Sequence, residues 1–261
     1  MAKSTSKPAP NGPISITRAA SAVAVAAAAA VAISACGGSS GGSTGTSSSA
    51  STSSSASNGI ASKSADQIFD TAITTAKAAT SLHVAGAIKS SAQSIGLNLE
   101  IVAGKGASGT ISEGSASFKL VDIGGSFYIQ PDQAFLLKFA HTQAAAELFK
   151  GKWLKASSSN GSFASLGPLT SIKTLMGSLT QGHGTLTKGA SSTLGGQPVV
   201  AVTSSKGGTM YVATTGKPYP LEVSKNSGGQ TGKVTFSDYN KSFTITAPAN
   251  SINIEQLEHS G

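Results

Sequence analysis

The feature that most constrains this chain of 261 residues is a change in the spacing of its apolar residues near Leu82. Over residues 68–79 they recur every three or four positions, as on one face of a helix. From Leu82 onward they alternate with polar or small residues, most regularly over residues 95–101. The pattern predicts one amphipathic helix followed by half-buried antiparallel strands.

Ser64 and Gln67 predict where the first helix begins. A serine followed three residues later by glutamine forms a capping box, in which each side chain accepts a hydrogen bond from the other residue's backbone N–H. Asp66 in the first turn and Lys77 in the last complement the helix dipole. We therefore expect the folded part of the chain to start at Ser64.

The remaining segments predict an α+β fold. About five strands come first, then two apolar helices around one short strand, and then about six strands, separated by glycine-rich turns such as Gly124-Gly125. The two helices cover residues 131–151 and 166–179, and the last strand covers residues 242–246. Since no βαβ rhythm is present, we expect a large curved antiparallel sheet, a half-barrel of about 11 strands, with helices packed on its concave face.

The N-terminus has the features of a lipoprotein export signal. A basic segment with Lys3, Lys7 and Arg18 precedes a run of Ala, Val and Ile that is shorter than the roughly 20 residues of a transmembrane helix. The sequence Ile33-Ser34-Ala35-Cys36 resembles a lipobox, and Cys36 is the only cysteine. We predict a signal peptide (1–35), a diacylglyceryl-modified Cys36 with a flexible Ser/Gly tether (36–63), and one folded domain (64–261).

The charged residues argue against a nucleic-acid reader. Removal of the signal peptide takes away the only arginine, Arg18, and leaves sixteen lysines against eleven acidic residues, a net charge of +5. Arginine is the side chain that clamps phosphates and guanine edges in a bidentate way. We therefore expect no nucleic-acid partner.

The sequence does not predict a catalytic or metal site. His83, His141, His183 and His259 are far apart and belong to no metal-ligand motif. No serine lies in a nucleophile elbow with a histidine and an aspartate in hydrolase order, and the carboxylates are scattered. We expect no enzyme activity, no metal and no cofactor.

Several segments carry a resemblance to a known family. They are the opening Ser64-Ala65-Asp66-Gln67-Ile68 helix, Gly151-Lys152-Trp153, Lys217-Pro218-Tyr219-Pro220-Leu221, and Phe236-Ser237-Asp238-Tyr239-Asn240 followed by Ala247-Pro248. Together with the lipobox they resemble the LolA/LolB-like superfamily, and within it actinobacterial lipoproteins of the LppX/LprG type. The resemblance implies a half-open β-barrel closed by helices around an apolar cavity that takes the acyl chains of a lipid or glycolipid, and it brings no catalytic residues.

The leading hypothesis is a lipid- or glycolipid-binding protein, anchored to the outer face of the cell membrane through Cys36 and monomeric. A membrane transporter or a cell-wall component is a further partner to consider. The alternative is a ligand-free docking or signalling module at the cell surface, because a closed core has the same sequence pattern as a cavity lining. The residues expected to line the cavity are Ile95, Leu97, Leu99, Ile101, Phe118, Leu120, Phe127, Ile129, Leu136, Leu137, Leu148, Leu169, Ile172, Leu175, Met176 and Met210.

Overall fold

A computed structural model describes residues 56–91, 93–139, 143–160 and 163–258. The predicted signal peptide, Cys36 and the tether as far as residue 55 lie outside the described residues. The helices are α1 (Ala65–Lys77), α2 (Gln133–Phe139), α3 (Gln143–Phe149), α4 (Ile172–Ser178) and α5 (Ile254–Glu258). The strands are β1 (Ser81–Ser90), β2 (Ser94–Val102), β3 (Gly106–Glu113), β4 (Ala116–Ile123), β5 (Ser126–Pro131), β6 (Leu154–Ser157), β7 (Leu186–Leu194), β8 (Gln197–Ser204), β9 (Gly208–Ala213), β10 (Pro220–Ser227), β11 (Gln230–Ser237) and β12 (Ile252–Asn253).

The twelve strands form one open, curved sheet in the order β12-β6-β5-β4-β3-β2-β1-β11-β10-β9-β8-β7. Every neighbouring pair is antiparallel except β12 and β6, which are parallel. Strands β1 and β11 join the two halves of the sheet, although about 150 residues separate them in sequence. The predicted α+β half-barrel is confirmed.

Glycines in the middle of strands allow the sheet to curl. Gly86 in β1 has φ 150° and Gly109 in β3 has φ 153°, values that side chains rarely permit. A Cβ at Gly86 would overlap the Lys233 carbonyl of β11, and one at Gly109 would overlap the Asn98 carbonyl of β2. These positions therefore let neighbouring backbones approach where the sheet bends.

The hydrophobic core lies between the sheet and two helices. Helix α1 buries Ile68 and Ala72, and α4 buries Met176, all completely. On the sheet, six neighbouring strands each contribute one residue to a row in which every residue is the register partner of the next. We call this row the core row. Its members are Phe236, Val84, Leu99, Gly109, Leu120 and Ile129. The alternation recognised in the sequence thus places one side of each strand in the core.

Helix α1 begins as predicted. The Gln67 amide donates to Ser64 Oγ at 3.3 Å, and the Ser64 amide donates to Gln67 Oε1 at 3.2 Å, which completes the capping box.

Residues 57–63, which were predicted as part of the tether, pack against the domain. Asn58 donates from its backbone to the Thr214 carbonyl at 2.8 Å and from Nδ2 to the Ala213 carbonyl at 3.0 Å. Ile60 begins a short 3₁₀ helix and is buried in the core. Because these residues make specific contacts, the folded domain includes residues that precede the first α-helix.

The strand predicted at residues 242–246 is wrong. These residues are not a strand, because β11 already has β1 and β10 on its two sides, and the chain turns away at Asp238 and Asn240 with positive φ. Strand β7 begins at Leu186, after Gly182 and Gly184, which adopt left-handed conformations.

The predicted helix over residues 131–151 is described as two helices, α2 and α3. Helix α2 packs on β4, where the Phe135 ring meets the Phe118 ring edge-on at 5.1 Å between centroids. This contact covers one end of the concave face.

Candidate functional site

The two ends of the strands provide the frame for the site. We call the end with the β2–β3 and β4–β5 turns the lower end, and the end with the β1–β2 and β3–β4 turns the upper end. Helices α1 and α4 pack against each other on the concave face. Cavities lie beside this helix pair at both ends.

At the upper end a cavity of about 410 Å³, which we call cavity B, lies between the helix pair and strands β7–β10. Its apolar lining is Phe69, Leu179, Leu186, Val202, Met210 and Val223. Its polar lining includes His183, Lys206 and Lys225. The Lys225 ammonium donates to the Lys206 carbonyl at 2.7 Å, so it is held at the border of the cavity. A concave lining that combines apolar and polar side chains is suited to a small molecule with both kinds of group.

An apolar row continues from cavity B across the concave face, and we call it the apolar track. Its directly opposed members are Val202, Met210, Val223, Val234, Gly86, Leu97, Ile111 and Phe118. At about 4.8 Å between strands, the track spans roughly 34 Å. Val223, Val234 and Leu97 are only half-buried, and the next concave position beyond Leu97, Ile95, is 45% exposed. The track thus joins cavity B to Phe118, under helix α2.

At the lower end a larger cavity of about 630 Å³, which we call cavity A, lies between α4 and strands β2–β5. Ile101, Phe127 and Ile172 are the large apolar residues that line it, and Lys105, Lys173 and Asp122 are the charged ones. The lining also includes glycines of the β2–β3 and β4–β5 turns and the hydroxyl side chains of Ser158, Thr170 and Ser171. Both cavities thus combine apolar and polar side chains in their linings.

The structure separates the predicted lining residues into several groups. Met210 lines cavity B, and Ile101, Phe127 and Ile172 line cavity A. Leu97 and Phe118 belong to the apolar track. Leu99, Leu120, Ile129 and Met176 are buried in the core. Leu136, a residue of α2, is also buried. The half-buried Leu169 and Leu175 pack against the core, whereas Ile95, Leu137 and Leu148 are exposed.

Sequence reasoning missed most of cavity B. Phe69, Leu179, Leu186, Val202 and Val223 line it, and none of them was among the predicted lining residues. Val202 and Val223 lie in predicted strands, so extending the inward-facing alternation to the C-terminal strands would have identified them.

Titratable groups do not converge on a reactive centre in the described part of the chain. His83 Nε2 lies 2.8 Å from Asn98 Oδ1 on the face opposite the core, and the His183 ring lies 4.9 Å from the Phe69 ring. Within these residues no group of three His, Cys, Asp or Glu side chains could hold a metal ion. None of the described helices is long and apolar enough to cross a membrane. His141 and His259 lie outside the described residues.

Two segments that carry the family resemblance meet at the lower end. The Tyr219 and Tyr239 rings stack with 3.9 Å between centroids. Tyr239 donates its hydroxyl to the Pro220 carbonyl at 2.7 Å, and Asn240 Nδ2 donates to the Tyr219 hydroxyl at 2.7 Å. Burial raises the pKa of Tyr239, which keeps this phenol protonated as a donor. These contacts fasten the end of β11 to the start of β10.

No protein-family model and no curated protein sequence matches this chain. Similar solved structures include LprF from Mycobacterium bovis, 12% identical with a TM-score of 0.51, where the match covers 71% of this chain and 97% of that one. Lipoprotein LppX from Mycobacterium tuberculosis is 13% identical with a TM-score of 0.46, covering 72% and 98%. A LolA superfamily protein from Nitrosomonas europaea is 8% identical with a TM-score of 0.25, covering 71% and 98%.

Proposed function

We propose, from the LolA-like fold that this chain shares with LppX/LprG-type lipoproteins, that it is a non-enzymatic carrier of a lipid or glycolipid. The acyl chain would enter cavity B and extend along the apolar track toward helix α2. The protein would work outside the cytoplasm, attached to the membrane by lipid on Cys36.

The apolar track is the observation that carries this proposal. A cavity alone would hold a small apolar molecule, but cavity B continues into a row whose members Val223, Val234 and Leu97 remain partly exposed. A row of this length fits an extended acyl chain. Partly exposed apolar residues in a continuous line are a common sign of a binding surface.

Burial of an acyl chain on this surface supplies enough free energy for binding. Each buried methylene contributes about 0.8 kcal/mol, so ten methylenes would contribute roughly 8 kcal/mol before the costs of association and ordering. The lysines at the border of cavity B are not needed for this energy. Lys206 and Lys225 would instead affect which headgroups are accepted.

The test is to extract non-covalent lipid from the full chain. The chain is produced in a lipoprotein-processing bacterial host, analysed by native mass spectrometry, and then extracted with organic solvent, which leaves any lipid on Cys36 covalently attached. Val223→Trp places an indole where cavity B joins the track. Ser224→Trp adds the same ring on the same strand, facing away from the core, and serves as the matched control.

We expect lipid from the wild-type chain and from Ser224→Trp, and at least about tenfold less from Val223→Trp, because the indole occupies the acyl position. No lipid from the wild-type chain, or equal amounts from both variants, would contradict the proposal. The first of those results would favour the ligand-free docking module, which the closed packing of the core row also supports.

A further inference from the structure

The large apolar side chains that are exposed in the described residues lie at one end of the molecule. They are Leu148 in α3, Leu137 in α2 and Ile95 at the start of β2, which are 68%, 52% and 45% exposed. All three belong to the upper end, where β5 leads into α2 and the β1–β2 turn leads into β2. We call these three residues the apolar lip. Exposed apolar residues that gather at one place are typical of an interaction surface.

A contact between α2 and the sheet brings two residues of the apolar lip together. Lys138 Nζ lies 3.2 Å from Glu113 Oε2, and Glu113 is the register partner of Ile95. The end of α2 therefore lies over the start of β2. Leu137, which precedes Lys138, is thus close to Ile95.

Helix α3 adds the third residue. Gln133 Nε2 at the start of α2 donates to Glu147 Oε1 at 3.3 Å, which holds the end of α3 beside α2. Leu148 follows Glu147 directly, and Leu137 lies one helical turn after Gln133. The two exposed leucines therefore belong to one helix pair.

The packing of this helix pair does not use the exposed leucines. Helix α2 places the Phe135 ring against the Phe118 ring and buries Leu136, and α3 buries Ala146 completely. Both helices thus have an apolar side turned to the protein and a leucine left outside it. Leu137 and Leu148 are available for a contact outside the described chain.

The charged side chains beside the apolar lip leave an excess of lysine. Glu113 and Glu147 are each paired with a lysine of α2 or of the turn after α3. Lys89 in the β1–β2 segment and Lys152 after α3 are exposed and make no ion pair with any described residue. Leucines bordered by unpaired lysines suit a surface that combines hydrocarbon with anionic headgroups.

The apolar lip lies where the apolar track reaches the surface. Ile95 is the next concave position beyond Leu97, and α2 packs on Phe118 at the end of the track. An acyl chain that leaves the track at this end would pass directly into whatever covers the lip. The hydrocarbon of a bilayer is a cover that lets the chain pass without meeting water.

We propose that the apolar lip docks into an anionic membrane surface. Leu137 and Leu148 would reach below the headgroups, and Lys89 and Lys152 would contact lipid phosphates. This inference rests on the proposed carrier function, for which it supplies the place of lipid exchange.

The predicted tether is long enough for this contact. Asn58 is bonded to the Ala213 and Thr214 carbonyls at the lower end, and a strand of nine residues separates the two ends by about 30 Å. The roughly twenty residues between Cys36 and Ser57 span up to about 65–70 Å when extended. An anchored chain can therefore lay its upper end on the membrane that holds Cys36.

The test measures the depth of single dyes on the full chain. The chain is produced in a lipoprotein-processing host and reconstituted into vesicles of phosphatidylcholine and phosphatidylglycerol. Cys36 is the only cysteine and carries the predicted lipid, so the wild-type chain gives the background labelling. Leu137→Cys and Leu148→Cys carry the dye, and Ser192→Cys on the exposed edge strand β7 is the matched control. Nitroxides on the lipid acyl chains quench a dye that enters the membrane.

We expect quenching at the two leucine positions to be at least about threefold stronger than at the Ser192 position, because the apolar face of a docked helix lies about 5–10 Å into the boundary between headgroups and acyl chains. With the dye at the Leu148 position, Leu137→Ser should lower the quenching by at least about threefold, since it removes one of the inserted side chains. Vesicles of phosphatidylcholine alone should also lower it, because the lysines then lose their anionic partners.

Equal quenching at all three positions, or none at the two leucine positions, would overturn the proposal. Unchanged quenching in Leu137→Ser or on phosphatidylcholine alone would overturn it as well. Failure of the carrier function is a separate result: no lipid would be extracted from the wild-type chain, while the quenching at the leucine positions would remain.

Discussion

The core row and the apolar track are both apolar, but they differ in how deeply their residues are buried. Both cross the concave face with apolar residues and one mid-strand glycine, Gly109 in the core row and Gly86 in the track. In the core row Leu99 and Leu120 are at most 1% exposed. The track is buried at Met210 and Phe118, whereas Val223, Val234 and Leu97 between them stay half-buried. An apolar strand face thus becomes a core or a candidate site according to what packs over it.

The largest expected effect on stability comes from shortening one leucine side chain in each row. Leu120→Ala should lower the free energy of unfolding by about 2–5 kcal/mol, because it leaves a cavity in a sealed core. Leu97→Ala removes the same atoms from a half-buried position and should cost about 1–2 kcal/mol. Urea denaturation of both variants measures the difference. Equal losses would show that the track is as well packed as the core row.

The sequence could predict which strands have an inward apolar face, because an alternation of apolar and polar residues depends only on residues that are adjacent in sequence. The start of α1 could also be predicted, because Ser64 and Gln67 are three residues apart. Both signals concern residues that are close in sequence.

The location of the cavities could not be predicted in the same way. Leu97 and Leu99 are two residues apart on one strand and share one pattern, yet one lies in the track and the other in the core row. Leu99 belongs to one buried cluster with residues of α1 and α4, which are more than 90 residues apart in sequence, whereas Leu97 only packs against that cluster. The strand at residues 242–246 failed for a similar reason, since the place beside β11 is taken by β1, from the start of the domain.

A second prediction concerns the curvature that both rows need. Gly86→Ala and Gly109→Ala should each cost about 1–3 kcal/mol, because both positions have φ near 150° and a Cβ would meet a neighbouring carbonyl. Gly208→Ala is the matched control, because the added Cβ would lie 3.6 Å from the Ser224 carbonyl oxygen of the neighbouring strand, which is an ordinary van der Waals contact. Thermal and urea denaturation measure both. A cost at Gly109 but not at Gly86 would mean that the sheet bends only under the core row.

A third prediction concerns helix α2, which packs over the Phe118 end of the track. Asp132 accepts hydrogen bonds at the start of this helix. Its Oδ1 accepts from the Phe135 amide at 2.7 Å, and its Oδ2 accepts from the Ser117 amide at 2.8 Å. Burial alone would raise the pKa of Asp132, but hydrogen bonds from the Ser117 hydroxyl and from nearby backbone amides outweigh it and lower the pKa. Asp132→Ala should cost about 1 kcal/mol at neutral pH.

The pH dependence of that loss follows from the lowered pKa. The stabilisation by Asp132 is complete above the unfolded-state pKa of about 3.9, and it is lost as the pH falls through the lower folded-state pKa. The wild-type chain and Asp132→Ala should therefore converge in stability below about pH 4, and urea denaturation between pH 3 and pH 7 measures this. A constant difference over that range would mean that the carboxylate charge plays no part.

The smallest effect should come from the segment that precedes α1. The Lys188 ammonium on edge strand β7 donates to the carbonyls of Ala61 and Lys63 at 3.2 and 3.1 Å, which holds residues 60–63 beside the core. Lys188→Gln should cost about 0.5–1 kcal/mol, because both bonds are at the surface and water replaces part of them. Lys119→Gln on the outer side of β4 should be neutral by comparison. Faster hydrogen exchange at the amides of residues 60–63 in Lys188→Gln alone would show that this contact secures the segment, whereas unchanged exchange would assign that role to Asn58 and the buried Ile60.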